Sequence, residues 1–237
     1  MWEFDTVFSE IIQRSPQVKS FRFPIRGEGV SYDAGQFFFA TIKVDGQDAA
    51  HHFSFSSSPT EKGYIEFTKR ITPSAYSQTL AVSKPGDWAH LKGPTGSFTL
   101  PRTKRKLAFL SGGIGITPMR SMLRSIADSQ QPWDIVLLYG NSTYDEIVFR
   151  DELDKISAMK LGLRVEYVLS GPNFPADWKG KKGFINKDII AEVIPDYKER
   201  LFYLSGPPKM VNSLGDELIA LNLPKEQAKM DSFTGYD

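Results

Sequence analysis

Leu107-Ala108-Phe109-Leu110-Ser111-Gly112-Gly113-Ile114-Gly115-Ile116-Thr117-Pro118-Met119 is the stretch that decides how this chain is read. Its first four residues are apolar without interruption, as a strand buried on both faces requires. The glycines that follow let the backbone turn tightly and approach a ligand with no Cβ in the way. Thr117 is the expected N-cap of a helix and Pro118 its first residue, where a missing N–H costs nothing. The free N–H groups and positive dipole end of that helix suit a pyrophosphate. The spacing is not the ordinary G-x-G-x-x-G pattern, and on these residues alone a plain strand–helix turn is the competing reading.

Working outward, the same alternation continues to the C-terminus. Apolar strands at Ile135–Tyr139, Arg164–Leu169 and Leu201–Leu204 alternate with helices expected over Pro118–Ala127, Glu146–Met159, Lys187–Val193 and Pro208–Leu221. Strand–helix alternation predicts a doubly wound parallel sheet. Upstream the grammar differs. Val7–Ile12, Val18–Phe23, Gln36–Ile42, Tyr64–Thr68 and Trp88–Leu91 are short, β-branched or aromatic, and bounded by turn clusters such as Arg26-Gly27-Glu28-Gly29. One helix is expected at Ser74–Val82, stopped by Pro85-Gly86. Many short strands with one helix predict a small antiparallel β-barrel or sandwich. The chain thus divides into a barrel domain over 1–101 and an α/β domain over 102–237, joined by the charged connector Arg102–Lys106.

Composition excludes several classes. Of 237 residues, 41% are hydrophobic and 24% charged, which is ordinary for a globular protein and argues against disorder. Basic and acidic side chains number 29 and 28; ten of each precede Pro101, which leaves 19 and 18 after it. Neither half carries the excess that would point to nucleic acid. No apolar run approaches the ~18 residues of a membrane span. The acidic start, MWEFDTVFSE, does not read as a signal peptide, so a cytoplasmic location is expected. The absence of cysteine removes thiol catalysis and cysteine-held zinc or iron–sulfur centres, and with three histidines no metal site is expected.

Further segments carry a family resemblance in chain order. Gly112-Gly113-Ile114-Gly115-Ile116-Thr117-Pro118 resembles the pyridine-nucleotide loop of the ferredoxin–NADP⁺ reductase family. His52-Phe53-Ser54-Phe55-Ser56-Ser57 resembles its flavin motif, Arg-x-Tyr-Ser-x-x-Ser, with His51 where the family has arginine. Gly93-Pro94-Thr95-Gly96-Ser97-Phe98 resembles the segment that ends its barrel. Ser205-Gly206-Pro207-Pro208-Lys209-Met210 is similar to its Cys-Gly-Pro-Pro-x-Met, with serine for cysteine. Met230-Asp231-Ser232-Phe233-Thr234-Gly235-Tyr236 is similar to a Glu-x-Phe-x-Gly-Tyr tail.

The resemblance implies a flavin on the barrel, FAD ahead of FMN, and NADH or NADPH on the second domain. It assigns Ser54 to flavin N5, Phe53 to the isoalloxazine face, and His51, His52, Phe55, Ser56, Lys69 and Ser77 to the flavin and its phosphates. Gly112, Gly113, Gly115, Ile116, Thr117 and Pro118 fall to the dinucleotide. Ser205, Gly206, Pro207 and Pro208 fall to the nicotinamide side, and Phe233 or Tyr236 to an aromatic shield. Read from the residues alone, Phe53 and Phe55 equally fit one core face of a strand. Lys69 and Arg70 equally fit a solvated strand end, and Phe233 a core plug. Asn141-Ser142-Thr143-Tyr144-Asp145-Glu146 carries two acids and no base, which favours NADH over the extra phosphate of NADPH. The expected activity is that of a flavin-dependent reductase passing hydride from NAD(P)H to FAD and electrons to a separate acceptor such as ferredoxin. Reduction of free flavin, ferric chelate or quinone, a non-catalytic FAD-binding subunit, and a nucleotide sensor are the alternatives.

Overall fold

The computed structural model describes residues 1–25 and 29–233; the Arg26-Gly27-Glu28 turn and Tyr236 lie outside them. The N-terminal region contains β1 (Trp2–Val7), β2 (Glu10–Ser15), β3 (Val18–Pro24), β4 (Phe37–Val44), β5 (Gln47–Ser54), β6 (Tyr64–Arg70), α1 (Ala75–Val82) and β7 (Trp88–Thr95). The strands form two antiparallel sheets, ordered β1-β7-β4-β5 and β2-β3-β6. Period-two alternation turns Phe38, Ala40 and Ile42 of β4 inward, onto Phe21 and Phe23 of β3 and Phe67 of β6. Each fully buried phenylalanine contributes roughly 1.5–3 kcal/mol.

Two expectations change here. The single strand expected over Val7–Ile12 is two strands. Phe8 dives into the core (1% exposed) while its N–H donates to Asp87 O (3.0 Å) and that of Ser9 to Arg22 O (2.8 Å), so the chain switches sheets at this point. β5 extends far upstream of the flavin motif. It is an edge strand whose residues 47–52 are largely exposed, so its sequence shows no buried period.

The second region contains β8 (Lys106–Gly112), α2 (Ile116–Ser129), β9 (Asp134–Asn141), α3 (Arg150–Ala158), β10 (Leu163–Leu169), β11 (Lys181–Lys182), α4 (Lys187–Val193), β12 (Leu201–Gly206), α5 (Pro208–Ala220) and β13 (Ala228–Ser232). Its sheet is wholly parallel, in the order β11-β10-β9-β8-β12-β13. Successive residues face opposite layers. Leu107, Phe109, Leu137 and Tyr139 pack with Met119, Leu123 and Leu153 of α2 and α3, whereas Ala108, Leu110, Val136 and Leu138 pack with Ile190, Val211 and Leu214 of α4 and α5. Two apolar layers on one sheet explain the uninterrupted apolar runs.

Helix starts are corrected as well. Gly113–Gly115 forms a 3₁₀ turn and α2 begins at Ile116, with Gly115 at the cap position and no side-chain cap. Thr117 is therefore inside the helix, where its Oγ1 donates back to Ile114 O (3.1 Å). Pro118 still lies in the first turn. α3 starts later than expected because Tyr144–Glu146 is a separate 3₁₀ turn and Phe149, at φ 63°, interrupts the helical path. Among the described residues, no helix is long and apolar enough to cross a membrane.

Candidate functional site

The C-terminal ends of the parallel strands open onto a cavity of about 590 Å³. Gly112–Ile114 supply one wall, Asn141 and Ser142 beyond β9 another, and Pro207, Pro208 and Met210 a third. The barrel closes the cavity with Arg70 and Thr72. This is the crevice where open α/β sheets bind ligands, at the strand-order reversal beside β8. Two glycines explain the loop. Gly113 takes φ 50° and faces open space, so its backbone is bare toward a ligand. Gly115 serves packing instead, because a Cβ there would stand 2.2 Å from Ser205 O.

Polar groups in and around this crevice fit a dinucleotide. The Asn141 side-chain amide, which lines the cavity, is buried with no hydrogen-bond partner at either atom, and the Ser111 and Ser205 hydroxyls are likewise unpartnered. The Asn141 amide, beside the glycine loop, is suited to a polar ligand, whereas the two serine hydroxyls are fully buried outside the lining. Arg70 Nη1 donates to Glu146 Oε1 (3.0 Å) and to Gln17 Oε1 (2.8 Å), so a barrel cation is held across the cavity by the one carboxylate among the described residues that line it.

A second space, about 50 Å³, lies on the seam between the two regions. Phe37, His52, Phe53, Ser54, Thr68 and Lys69 line it from the barrel, and Ile114, Thr117, Asp231 and Phe233 from the α/β region. Ile114 and Phe233 line both spaces and so form their common wall. The donor set suits a flavin: aromatic planes, a serine hydroxyl and a cation. Its volume is well below the roughly 300–1,000 Å³ of small-molecule pockets, so seating a tricyclic ring requires the wall to move. The Phe233 N–H is tied to Gly206 O (3.1 Å), which leaves that movement to its side chain.

Burial shifts the charges here. It pushes the Lys69 ammonium down to about 8 and the Asp231 carboxyl up to about 6. The His51 imidazole is lowered by burial and by the neighbouring Lys69 and His52. Its ring lies 4.3 Å from that of Tyr76.

Several sequence-assigned residues fall elsewhere. Phe55 is fully buried between Tyr32 (ring centroids 3.8 Å) and Phe38 (4.6 Å) and lines neither space. Ser56 is buried, its hydroxyl donating to Glu66 Oε1 (2.8 Å) and accepting from Thr68 (2.8 Å). Ser77 is buried at the start of α1 and its Oγ accepts from Thr72 N (2.7 Å). Ile116, Pro118 and Gly115 are buried behind the loop and line neither space. Ser205 is fully buried at the end of β12, also outside both linings, and Gly206 beside it turns at φ 157°. Phe53 stacks on Phe67 at 4.1 Å yet reaches the seam cleft with its remaining surface. Sequence reasoning missed Asn141 as a liner and Asp231 as a titrating group. Asn141 figures in the sequence reading only as part of the Asn141–Glu146 segment after the second parallel strand, not as a buried amide of its own, and the Asp231 shift comes from burial alone.

Comparison with known proteins agrees with this architecture. Residues 5–100 match the oxidoreductase FAD-binding domain profile and residues 109–215 the oxidoreductase NAD-binding domain profile. A plasma membrane-associated coenzyme Q6 reductase of Saccharomyces cerevisiae is 30% identical over 221 residues, covering 91% of this chain and 68% of that one. The chain belongs to the ferredoxin–NADP⁺ reductase-like family of FAD- and NAD(P)H-dependent oxidoreductases. An NADH-cytochrome b5 reductase 1 of Emericella nidulans is 31% identical over 184 residues, covering 74% of this chain and 59% of that relative. The chain therefore spans only part of some relatives. The FAD/NAD-binding domain of a Vibrio cholerae nitric oxide dioxygenase superimposes with TM-score 0.87 at 23% identity over 97% of this chain and 98% of that one, which shows the fold. As a family member this chain binds FAD and NAD(P)H.

Proposed function

We propose that this reductase takes electrons from NADH and delivers them to a separate one-electron carrier, with a b-type cytochrome favoured over the ferredoxin anticipated from sequence. The observation that carries the reading is the wall shared by the two spaces, Ile114 and Phe233, which brings a dinucleotide cavity and an aromatic seam cleft side by side. The relatives' names, cytochrome b5 reductase and coenzyme Q6 reductase, support the choice of acceptor class. The choice of NADH is supported by the names of the NADH-cytochrome b5 reductase relatives and by the segment after β9, Asn141–Glu146, which carries two acids and no base. Glu146 there engages the cavity cation Arg70 (3.0 Å), while Lys209 is the other cation among the described residues of the lining.

FAD held at this seam would supply a hydride acceptor able to release electrons one at a time. The chain's residues supply position. Backbone N–H groups of Gly113 and Ile114 hold a pyrophosphate at the start of α2. Ser54 presents a hydroxyl on the barrel side of the seam, opposite Thr117 and Asp231. Asp231, raised to about 6, lies within proton-exchange range of neutral pH. Phe233 keeps water from the shared wall. Alignment of the two reactants does most of the catalysis. A cytoplasmic location is retained as part of this proposal, and cell fractionation checks it.

The test is anaerobic mixing with NADH in a stopped-flow instrument, which should bleach the flavin absorbance. Cytochrome b5, ferredoxin and a soluble quinone are then added separately. Fast recovery with the cytochrome alone supports the reading; recovery only with ferredoxin or quinone replaces the acceptor. Absence of bleaching by either nucleotide removes the activity.

A further inference from the structure

Arg120 lies one turn beyond the dinucleotide loop on α2, with a side chain 6% exposed. It lines neither the cavity nor the seam cleft. Its guanidinium nevertheless reaches three separate pieces of chain. On the barrel side, Nη1 donates to Ser56 O (2.8 Å), two residues past Ser54, and both Nη atoms bond Glu61. On its own side, Nε and Nη2 donate to Glu152 of α3 (3.0 and 2.7 Å). Burial opposes its charge, but the two carboxylates outweigh that and keep it ionised.

The surroundings reinforce the link. Ser121 Oγ donates to Ser57 O (2.7 Å). The Phe149 ring is flanked by Arg120 (5.5 Å to the ring centroid) and by Arg14 of the barrel (5.1 Å). Phe149 itself adopts φ 63°, a conformation that a bulky residue holds only when its neighbours impose it. Ser56, in turn, is fixed from below, with N–H and hydroxyl both donating to Glu66 (2.8 Å each).

We infer that Arg120 is a positioning residue. It ties the helix that carries the dinucleotide loop to the segment directly after Ser54, and thereby sets the distance across the seam. A planar fork with five donors can satisfy two carboxylates and a carbonyl at once, which no other side chain does. A displacement of ~1 Å at reacting groups costs on the order of 100-fold in rate, so a residue outside both spaces can govern transfer without touching either ligand. The inference rests on the reading that hydride crosses this seam.

The test compares the wild-type holoenzyme with Arg120→Met and with the triple variant Arg120→Met/Glu61→Gln/Glu152→Gln. The single variant leaves two half-buried carboxylates without their shared cation, although Glu61 still accepts from Ser58 N (2.7 Å) and Tyr64 OH (2.7 Å); the triple variant removes those charges while keeping the link broken. Expected for the triple variant are flavin retention and NADH affinity within about 3-fold of wild type, with bleaching at saturating NADH slowed at least ~10-fold. Calorimetry should show one unfolding transition for the wild type and two for the triple variant. Arg120→Lys, which keeps the charge but not the fork, should fall between. A triple variant that bleaches at the wild-type rate overturns the inference, as does a loss of rate matched by an equal loss of NADH affinity. If the wild type itself does not bleach, the hydride reading fails, and calorimetry alone then judges the link.

Discussion

Gly115→Ala probes whether the loop glycines serve packing or ligand approach. An added Cβ would meet Ser205 O at 2.2 Å, Ser205 C at 2.5 Å and Gly206 Cα at 2.6 Å. All three are backbone atoms of β12 and its end, so no side chain can rotate away. Ordinary contact needs 3.4 Å or more, so loop and strand must separate by about 1 Å. Such overpacking costs roughly 1–3 kcal/mol. For a chain of this size that lowers Tm by about 2–12 °C. Gly113→Ala is the control. No heavy atom lies within 4 Å of its added Cβ, and the cost is confined to φ 50°, about 1 kcal/mol. Urea unfolding of the two apoproteins, with m-values compared, separates them. Gly115→Ala should be the less stable, and its holoenzyme should bind NADH more weakly because the displaced loop carries the pyrophosphate cradle. Equal stability of the two variants, or a less stable Gly113→Ala, would refute the packing argument.

Three further outcomes follow from the same geometry. Asp231 is raised to about 6 by burial, so the folded state binds the extra proton and stability falls as pH rises from about 4 to 6, then levels; Asp231→Asn should flatten that fall and stabilise the chain above pH 6 by ~1–3 kcal/mol, read by Tm against pH. Glu146→Gln removes the carboxylate from the donor cavity and loosens Arg70, so kcat/KM with NADPH should rise by about 10-fold relative to NADH, and an unchanged ratio would place the ribose elsewhere. Phe233→Ala removes the wall shared by the two spaces, so flavin uptake by the apoprotein should accelerate, whereas slower uptake would show that the ring helps to seat the cofactor.

The centre of the parallel sheet was legible because its strands must be apolar on both faces and each helix on one, a demand written into neighbouring residues; the edge strands β11 and β13, polar and partly exposed, were not. Leu107–Leu110 and Ile135–Tyr139 therefore announced their strands, and Lys187–Val193 is the helix expected. The glycine-rich turn after β8 was legible for the same local reason. β5 was not, since an edge strand wet on both faces leaves no period, and neither was the break at Phe8, where one residue leaves one sheet for another.

The site divides along the same line. Sequence alone determined the two architectures, the order of the cofactor segments and the chemistry on offer at Gly112–Ile114 and Ser54. Tertiary structure decided which of those residues line the two spaces. It buried Phe55 and Ser56, set Asp231 beside the seam, and joined Arg120 to Ser56, 64 positions away. The physical reason is range. Strand period, turn geometry and helix capping act between near neighbours, whereas burial and the hydrogen bonds that span the seam depend on which distant segments the folded chain brings together.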